Sequence, residues 1–533
     1  MYFTVLSLFI FNGWCFASEK PHVILIVADD LGWNDVGFHG SKQIPTPNID
    51  ALAYGGIILQ NYYTLPVCTP SRSALMTGIH PIHTGMQHNV IYGGEPWGLP
   101  LNLKILPQYL KEDGYRTHAV GKWHLGHFRA EYTPTRRGFD SHFGYWTGRQ
   151  DYYDHSAQEV DTWGYDMRRN MNTSWESFGH YTTDLITNEA KTLIRSHDSE
   201  TPMFLYVSHL AVHSANPYEF LQAPKEIIKK FDNIKDKNRR IFAAMLWKLD
   251  ISVGEIVAAL DEKGMLHNSI IIFTTDNGGP AAGFNNNAAS NWPLRGVKNT
   301  LWEGGVRGAA CIWSRNLPAS KINNDLMHLQ DWVPTILAAV NSTSFRENLK
   351  LDGHNMWPVL KGEKQSEYDE IVISIDQVRN ISALKKGDWK IISGETYDGR
   401  WDKWYGPGGR NETYLYNITE IENSSVANAF RHNNISFPPT KMINEIRKNA
   451  SLSCKSSQKD VPCDLQKEIC LFNLKDDPCE RVNQAKNQPE ILQNLQEVLK
   501  KYNPVKPLNK PIDPRSNPKF WNYTWTNWMD YVQ

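Results

Sequence analysis

Residues 22–28, His-Val-Ile-Leu-Ile-Val-Ala, form an almost unbroken apolar run. A run of that length without polar alternation predicts a strand buried on both faces, the habit of parallel sheets. The pattern returns at residues 270–275, and further strands are predicted at 115–120 and 203–208. Between them the apolar positions recur at helical spacing. Helices are predicted from Leu106, with Pro107 in the first turn, to Gly114, over residues 182–196, and over 241–262 with Gly264 as the stop. Alternating strands and helices predict an α/β fold with a large doubly wound sheet. Both long apolar strands end in oxygen-bearing side chains: Asp29 and Asp30 after the first, Asp276 and Asn277 after the second. In open α/β sheets the binding crevice lies at the carboxyl ends of the strands. These residues either cap the helices that follow or, if the two ends meet, gather three carboxylates whose repulsion a divalent cation would relieve. An all-oxygen set favours Ca²⁺ or Mg²⁺ over zinc.

Beyond about Glu370 the pattern shortens. Brief strands are predicted at residues 371–375, 381–384, 389–393 and 471–474, and a helix at 489–502. This predicts a small antiparallel sheet with one helix. Residues 395–462, between the third and fourth of these strands, are polar and rich in Asn, Ser and Gly, and are expected as a long surface insertion. The chain thus divides into a leader at 1–17, a large domain at 18–370, a small α+β domain at 371–503 and a tail at 504–533. The tail carries Phe520, Trp521, Tyr523, Trp525, Trp528 and Tyr531. These aromatics are expected to dock on the large domain rather than form a separate sugar-binding platform.

Composition adds limits. The chain has 533 residues, too many for one compact core, with 41% hydrophobic and 21% charged residues, as in a globular protein. A net charge of −1 argues against a nucleic-acid binder that works by bulk charge, so an anionic substrate would need a local pocket. Residues 5–11 are a short apolar stretch, and Cys15 and Ala17 are the small residues a signal peptidase reads. Cleavage after Ala17 is expected, which sends the protein into the secretory pathway, to a lysosome or the cell exterior. The stretch is too short to span a bilayer, and no later one suits a transmembrane helix. Asn172, Asn341, Asn380, Asn411, Asn417, Asn423, Asn434, Asn449 and Asn522 stand in Asn-x-Ser/Thr, mostly late in the chain. That bias marks the C-terminal part as the sugar-coated region. Cys311, flanked by Ala310 and Ile312, reads as a buried free thiol. Cys454, Cys463, Cys470 and Cys479 allow three connectivities, of which Cys454–Cys463 with Cys470–Cys479 is favoured.

Candidate chemistry concentrates at residues 68–78, Cys-Thr-Pro-Ser-Arg-Ser-Ala-Leu-Met-Thr-Gly. Thr69 is suited to cap a helix, Pro70 to its first position and Gly78 to its stop. Cys68 would then sit at the positive end of the helix dipole, a place for a reactive side chain or a bound anion, with the Arg72 guanidinium one turn on. The plainer reading is a buried, inert thiol beside an ordinary helix start.

This stretch, Cys-x-Pro-Ser-Arg followed by Met-Thr-Gly, resembles the signature of the sulfatases, and Gly114-Tyr115 through Gly121-Lys122-Trp123-His124 resembles a second block of that family. The likeness spans most of the chain and is closest to the arylsulfatase B, or N-acetylgalactosamine-4-sulfatase, type. Residues 134–140, Pro-Thr-Arg-Arg-Gly-Phe-Asp, and the block from Asn291-Trp292-Pro293 through Lys298 to Arg307-Gly308 carry it. The resemblance implies an alkaline-phosphatase-like fold and a modifying enzyme of the secretory pathway that converts Cys68 to formylglycine. It implies one Ca²⁺ held by Asp29, Asp30, Asp276, Asn277 and modified Cys68. It implies hydrolysis of sulfate esters, as in sulfated sugars. One hydroxyl of the aldehyde hydrate attacks sulfur and expels the alcohol; deprotonating the second expels sulfate and restores the aldehyde. Arg72 and Lys122 would stabilise the hydrate and the sulfate oxygens. His124 would take the proton that triggers release. His213 and Lys298 would contact the sulfate, and one of them would protonate the leaving oxygen. His209 receives no role.

The sequence departs from the family in two places. The proline usual two residues after the histidine at His213 is absent from His213-Ser214-Ala215-Asn216-Pro217. Residues 87–101 lack the cysteines that vertebrate arylsulfatase B types carry there. Both departures bear on the leaving-group pocket rather than on the sulfate chemistry. Two other readings compete. A phosphatase or phosphonate hydrolase of the same superfamily would hold two zinc ions with a Ser or Thr nucleophile, which metal content would reveal. A catalytically dead glycan-binding protein would fail to turn over an aryl sulfate.

Overall fold

The computed structural model describes residues 20–346, 349–407, 416–454 and 459–532. The leader with Cys15 and the sequon at Asn411 lie outside the described residues. The large domain is built on β1 (His22–Ala28), β2 (Ile57–Tyr63), β3 (Arg116–Lys122), β4 (Ser141–Tyr145), β5 (Ser156–Glu159), β6 (Thr162–Tyr165), β7 (Arg168–Arg169), β8 (Asn172–Thr173), β9 (Met203–Ser208), β10 (Ser269–Thr275), β11 (Ala310–Ser314) and β12 (Lys321–His328). All but the β5–β6 hairpin join one sheet, in the order β12-β2-β11-β10-β1-β9-β3-β4-β7-β8. β1 is central, parallel to β10 on one side and to β9 on the other, and β9 continues parallel to β3. β11 and the short β7 run against the other strands, so the sheet is mixed.

Why β1 is apolar throughout follows from this position. Its even members, Ile24, Ile26 and Ala28, enter one buried cluster with residues of the Thr182–Ser196 and Lys237–Glu262 helices. Its odd members, Val23, Leu25 and Val27, enter a second cluster with Leu75, Met76, Leu106 and Trp332. Side chains alternate across a strand, so a sheet covered on both faces needs apolar residues at every position. The register aligns Ala28 with Thr275, Val27 with Ser208 and Ser208 with Gly121. The carboxyl ends of β1, β10, β9 and β3 therefore reach the same edge of the sheet, at the switch point on either side of β1.

The second sheet is antiparallel: β13 (Glu370–Asp376), β14 (Ile381–Lys386), β15 (Trp389–Ser393) and β16 (Cys470–Asn473), in that order. The Pro489–Lys501 helix covers one face through Leu495 and Val498. The other face packs against Tyr63, Trp302 and Val306 of the large domain. Lys390, fully buried, lies 2.9 Å from Glu303 and 2.8 Å from Glu480, joining the two sheets through paired charges.

Three expectations are corrected. Residues 395–462 are not a surface insertion of the small domain. They form helices at Ile418–Glu422, Ser425–His432 and Thr440–Ala450 whose Val426, Ala427, Phe430 and Ile443 are buried in the first cluster of the large sheet. The Phe430 ring stacks on Trp313 at 4.8 Å. Tyr416 Oη donates to buried Asp50 at 2.6 Å, and Arg447 donates to the carbonyls of Gly37 and Ser41. The polar composition misled because the segment buries only a narrow stripe of each short helix. The disulfides join Cys454 to Cys479 and Cys463 to Cys470, not nearest neighbours at each end. β16 carries Cys470 back to the Cys463 loop, while Cys479 faces the residue that leaves the helices. Finally, the helix of residue 68 begins at Cys68 itself, with Val67 as its extended N-cap. Thr69 does not cap it: its Oγ1 donates to the His124 carbonyl at 3.3 Å and accepts from Ile91 N–H at 3.1 Å. Gly78 ends the helix with φ 70°, a turn that favours glycine.

Cys311 is buried and free, as expected. The sequon asparagines among the described residues, from Asn172 to Asn522, are all exposed. No described helix is long and apolar enough to cross a membrane.

Candidate active site

Four strand ends deliver the charged groups. Asp29 and Asp30 follow β1, Asp276 and Asn277 follow β10, Lys122 closes β3, and the loop after β9 brings His213. The helix Cys68–Thr77 points its start at the same place. Asp29 accepts from Lys122 Nζ at 2.6 Å through one oxygen, and its other oxygen is 3.6 Å from Cys68 Sγ. Arg72 donates to Asp276 from Nε at 3.1 Å and Nη2 at 2.8 Å, and from Nη1 to Ser208 Oγ at 2.5 Å. Lys298 Nζ is 2.5 Å from Asp30 and 3.4 Å from Cys68 Sγ. His213 Nε2 faces the second Asp30 oxygen at 3.5 Å. Every one of these side chains is buried.

The electrostatics follow from that burial. Burial alone would raise the Asp29 carboxyl, but Lys122, Arg72 and Lys298 outweigh it and hold it below the ordinary carboxylate range. Asp276 goes the other way, raised by burial and by the neighbouring Asp29 charge. The Cys68 thiol is pushed up to about 12, chiefly by burial. Lys298 is held protonated: burial opposes its charge, and Asp30 more than restores it.

Both histidines are tied down by one nitrogen. His124 Nε2 donates to the Ile91 carbonyl at 3.0 Å, which leaves Nδ1 as the lone-pair nitrogen, buried and without a hydrogen-bond partner. Burial, with Lys122 and Arg72 nearby, drives its pKa well below the usual value, so the ring is neutral. His213 Nδ1 donates to the Ser214 carbonyl at 2.7 Å, so Nε2 is the nitrogen turned to the cluster. His124 at φ 58° and Asp30 at φ 63° both adopt the left-handed region, a conformation costing a non-glycine residue about 1–2 kcal/mol. Gly148 must lack a side chain, because a Cβ there would lie 2.7 Å from His124 Nε2.

The donor set fits a hard divalent cation. Asp29, Asp30, Cys68 and His213 offer atoms within 4.8 Å of one another. Asn277 donates its amide to Asp30 at 2.7 Å, which leaves its carbonyl oxygen buried and unpaired. One Asp30 oxygen likewise accepts no hydrogen bond. Buried oxygens rarely stay orphaned, and two in one acidic cluster fit an oxygen-seeking ion.

All the expected site residues, Asp29, Asp30, Cys68, Arg72, Lys122, His124, His213, Asp276, Asn277 and Lys298, thus converge. Cys68, His124, His213 and Lys298 line one cavity of 510 Å³. Sequence reasoning missed the outer part of its wall: Tyr92, Arg149, Glu159, Asn299 and Tyr397. Glu159 is buried, and burial raises its carboxyl to about 7. Arg149 donates to the Gln158 carbonyl at 3.1 Å. Ser208, at the end of β9, could have been found by the strand-end rule that located the acids. Tyr397 could not, since it arrives from far along the chain on a segment with no motif. His209, assigned no role, bonds Ser252 Oγ at 3.0 Å inside the protein.

The sulfatase family model matches residues 21–342. Arylsulfatase J of Mus musculus is 37% identical over 519 residues, covering 96% of this chain and 81% of that relative. Arylsulfatase A of Homo sapiens is 30% identical over 402 residues, covering 70% of this chain and 75% of that relative. The crystal structure of Ps i-CgsB in complex with k-i-k-neocarrahexaose matches with a TM-score of 0.71 at 27% identity, over 94% of this chain and 97% of that one.

Proposed function

This chain belongs to the sulfatase family and is a sulfuric ester hydrolase, and from that premise we propose that it cleaves the sulfate ester of a sulfated sugar through formylglycine at residue 68 and one calcium ion. The instance suggested by its arylsulfatase B-like blocks is an N-acetylgalactosamine 4-sulfate unit of a glycosaminoglycan. The observation that carries the reading is the place of residue 68: it starts a helix, lines the cavity, and its Sγ lies 3.6 Å from Asp29 and 3.4 Å from Lys298 Nζ, beside the acidic cluster.

Asp29, Asp30, Asp276 and Asn277 would hold the ion, with residue 68 completing the set. When bound, calcium supplies the positive charge that holds a sulfate oxygen and polarises the hydroxyls of residue 68. The chain's own charges are poised for this. Three carboxylates stand against the three cations Arg72, Lys122 and Lys298, so an added divalent ion leaves net positive charge for an incoming anion. Arg72 and Lys122 orient residue 68 and the sulfate. Lys298 acts as a fixed charge on the sulfate oxygens, because Asp30 keeps it protonated. His213 Nε2 and Lys298 are the groups placed to give the leaving oxygen its proton; His213 must first take that proton up, because its own hydrogen sits on Nδ1 and burial disfavours the charged ring. His124 Nδ1, neutral and unpaired, is the acceptor for the proton whose removal releases sulfate.

The partners follow. A formylglycine-generating enzyme would act on the chain during export, and the product would reside in the secretory pathway, lysosomal or extracellular. The two disulfides and the exposed sequons support that route.

Mass spectrometry of the peptide bearing residue 68, from protein made in a secretory host, is the direct test. The aldehyde is expected; an alkylatable thiol in every molecule would sink the mechanism. Metal analysis is expected to find calcium, and zinc would instead favour the phosphatase reading.

A further inference from the structure

The catalytic cavity shares a wall with a second, aromatic one. That neighbour has a volume of 430 Å³, and its lining includes Trp163, Trp175, Phe178, Tyr218 and Tyr523. Each of these five side chains is more than half exposed. Soluble proteins seldom leave so many large rings bare in one place unless something covers them. The rings come from three separate parts of the chain: the β6 hairpin with the segment after it, the loop beyond β9, and the C-terminal tail. Their arrangement is built rather than incidental. Tyr165 N–H donates to the Tyr523 carbonyl at 2.7 Å, and Trp525 N–H returns to the Tyr165 carbonyl at 3.0 Å. Trp163 stacks on Tyr523 at 5.8 Å with an interplanar angle of 23°, and Trp175 stacks on Tyr165 at 4.3 Å.

Two segments form the shared wall by alternation. Along β5, Ser156 and Gln158 face the aromatic cup, while Glu159 lines the catalytic cavity. In the loop after β9, Ser214 and Pro217 line the catalytic cavity, while Asn216 and Tyr218 line the cup. Asn216 pins the two segments together, donating to the Ser156 carbonyl at 2.9 Å and accepting from Gln158 N–H at 2.9 Å. A polymeric substrate with its ester beside residue 68 would cross this wall and meet the ring faces. The cup has half-buried Gln158 and, beneath it, buried Asn216, but no Lys or Arg among the described residues lining it, and Asp154 adds a carboxylate. An aromatic face attracts C–H groups through its negative quadrupole, and the axial hydrogens of a pyranose supply them. A sulfated or uronic sugar would be repelled by Asp154, so in a glycosaminoglycan the ring held is an unsulfated hexosamine beyond the uronic neighbour of the reacting unit.

We propose that this aromatic cup is a second sugar subsite, which takes an uncharged ring of the same glycan whose sulfated residue occupies the catalytic cavity. The proposal rests on the sulfated-sugar reading above. It makes the enzyme selective for where sulfate lies along a chain: sulfate at the reacting unit is required, and sulfate on the unit held by the cup is rejected.

The test uses the full-length protein, wild type, Trp163→Ala, Trp163→Phe and Tyr523→Ala. The first probe is agarohexaose, a neutral hexasaccharide, followed by tryptophan fluorescence. Wild type should respond, Trp163→Ala should not, and Trp163→Phe should recover affinity because a ring face is restored. The second probe is a neutral hexasaccharide carrying one terminal sulfate ester, compared with a small aryl sulfate. The alanine variants should lose about tenfold in kcat/KM on the oligosaccharide, through KM, with the aryl sulfate unchanged. Equal loss on both substrates would mark a merely structural role and overturn the proposal. So would a wild-type response that appears only after enzymatic removal of N-glycans, which would make the protein's own glycan at Asn522 the occupant. A concentration-dependent dimer abolished by Trp163→Ala would assign the cup to a second copy and overturn it equally. The fluorescence arm needs no turnover, so it reads the cup even if the catalytic cavity prefers another ester; absence of any response from wild type, before and after deglycosylation, ends the proposal.

Discussion

His124 and His213 differ in which nitrogen is free, and that difference predicts separable defects. If His124 Nδ1 serves sulfate release, His124→Ala should still cleave one ester per site and then accumulate a sulfated adduct on residue 68. His213→Ala should slow the first step instead, most for poor leaving groups such as sugar alcohols. General acid–base help is worth about 10²–10⁴-fold, so a single-turnover burst with aryl and sugar sulfates can resolve the two. Equal loss of burst and steady state in His124→Ala on both substrates would contradict these roles. Asp276 has two duties, since it also holds Arg72 by two hydrogen bonds. Asp276→Ala is expected to abolish turnover and lower calcium content, leaving the fold largely intact because the residue follows β10 rather than lying within it. Wild-type calcium content in that variant would remove Asp276 from the ligand set. These residues were legible from the sequence because each sits beside a strand end or a helix start, where backbone geometry limits what a side chain can face.

At the level of elements, the helices of residues 417–450 change the picture most. Their short, mostly polar sequence predicts a surface insertion, yet Phe430 is fully buried and contacts Trp313 of β11. Phe430→Ala should therefore destabilise the large domain by about 3–5 kcal/mol, measured by denaturant unfolding. A loss below about 1 kcal/mol would return the segment to the status of an ornament. The same segment begins near Tyr397, which donates nothing to the sheet but lines the catalytic cavity. Periodicity located the long strands and helices because they bury whole faces. It failed on elements of one or two turns, whose burial is decided by what they land on.

Across the whole molecule, two sets of buried titratable groups pull against each other in acid. Burial lowers His22 and His142 to about 4 and His127 and His209 to about 3. The unfolded chain takes up those protons below about pH 6.5 while the folded one refuses them, so these groups withdraw stability as pH falls from about 6.5 toward 4. Burial raises Asp250, Asp331 and Glu159 to about 7 and Asp50 to about 6. The folded chain keeps those protons where the unfolded one loses them, so these groups add stability as pH falls through 7 toward 4. The acid response of the melting temperature is set by the difference between these opposing sets. His127, ringed by Trp146, Trp525 and Trp528, offers a way to tip it. His127→Phe should melt higher relative to wild type at pH 5 than at pH 7. An equal difference at both pH values would show that His127 carries no part of the acid sensitivity.

The sequence by itself determined the central strands, the acids at their ends, the helix that carries Cys68 and the charge types around it. Those features are local: an apolar run, a strand end, a turn residue and a spacing each follow from backbone periodicity. Only the tertiary structure decided which cysteines pair and where the polar segment packs. It alone decided which histidine nitrogen is free, and that β5 carries Glu159 into one cavity and Gln158 into its neighbour. Each of those depends on which groups meet across the fold, as Cys454 meets Cys479, His124 meets the Ile91 carbonyl and Phe430 meets Trp313, and no local pattern encodes those meetings.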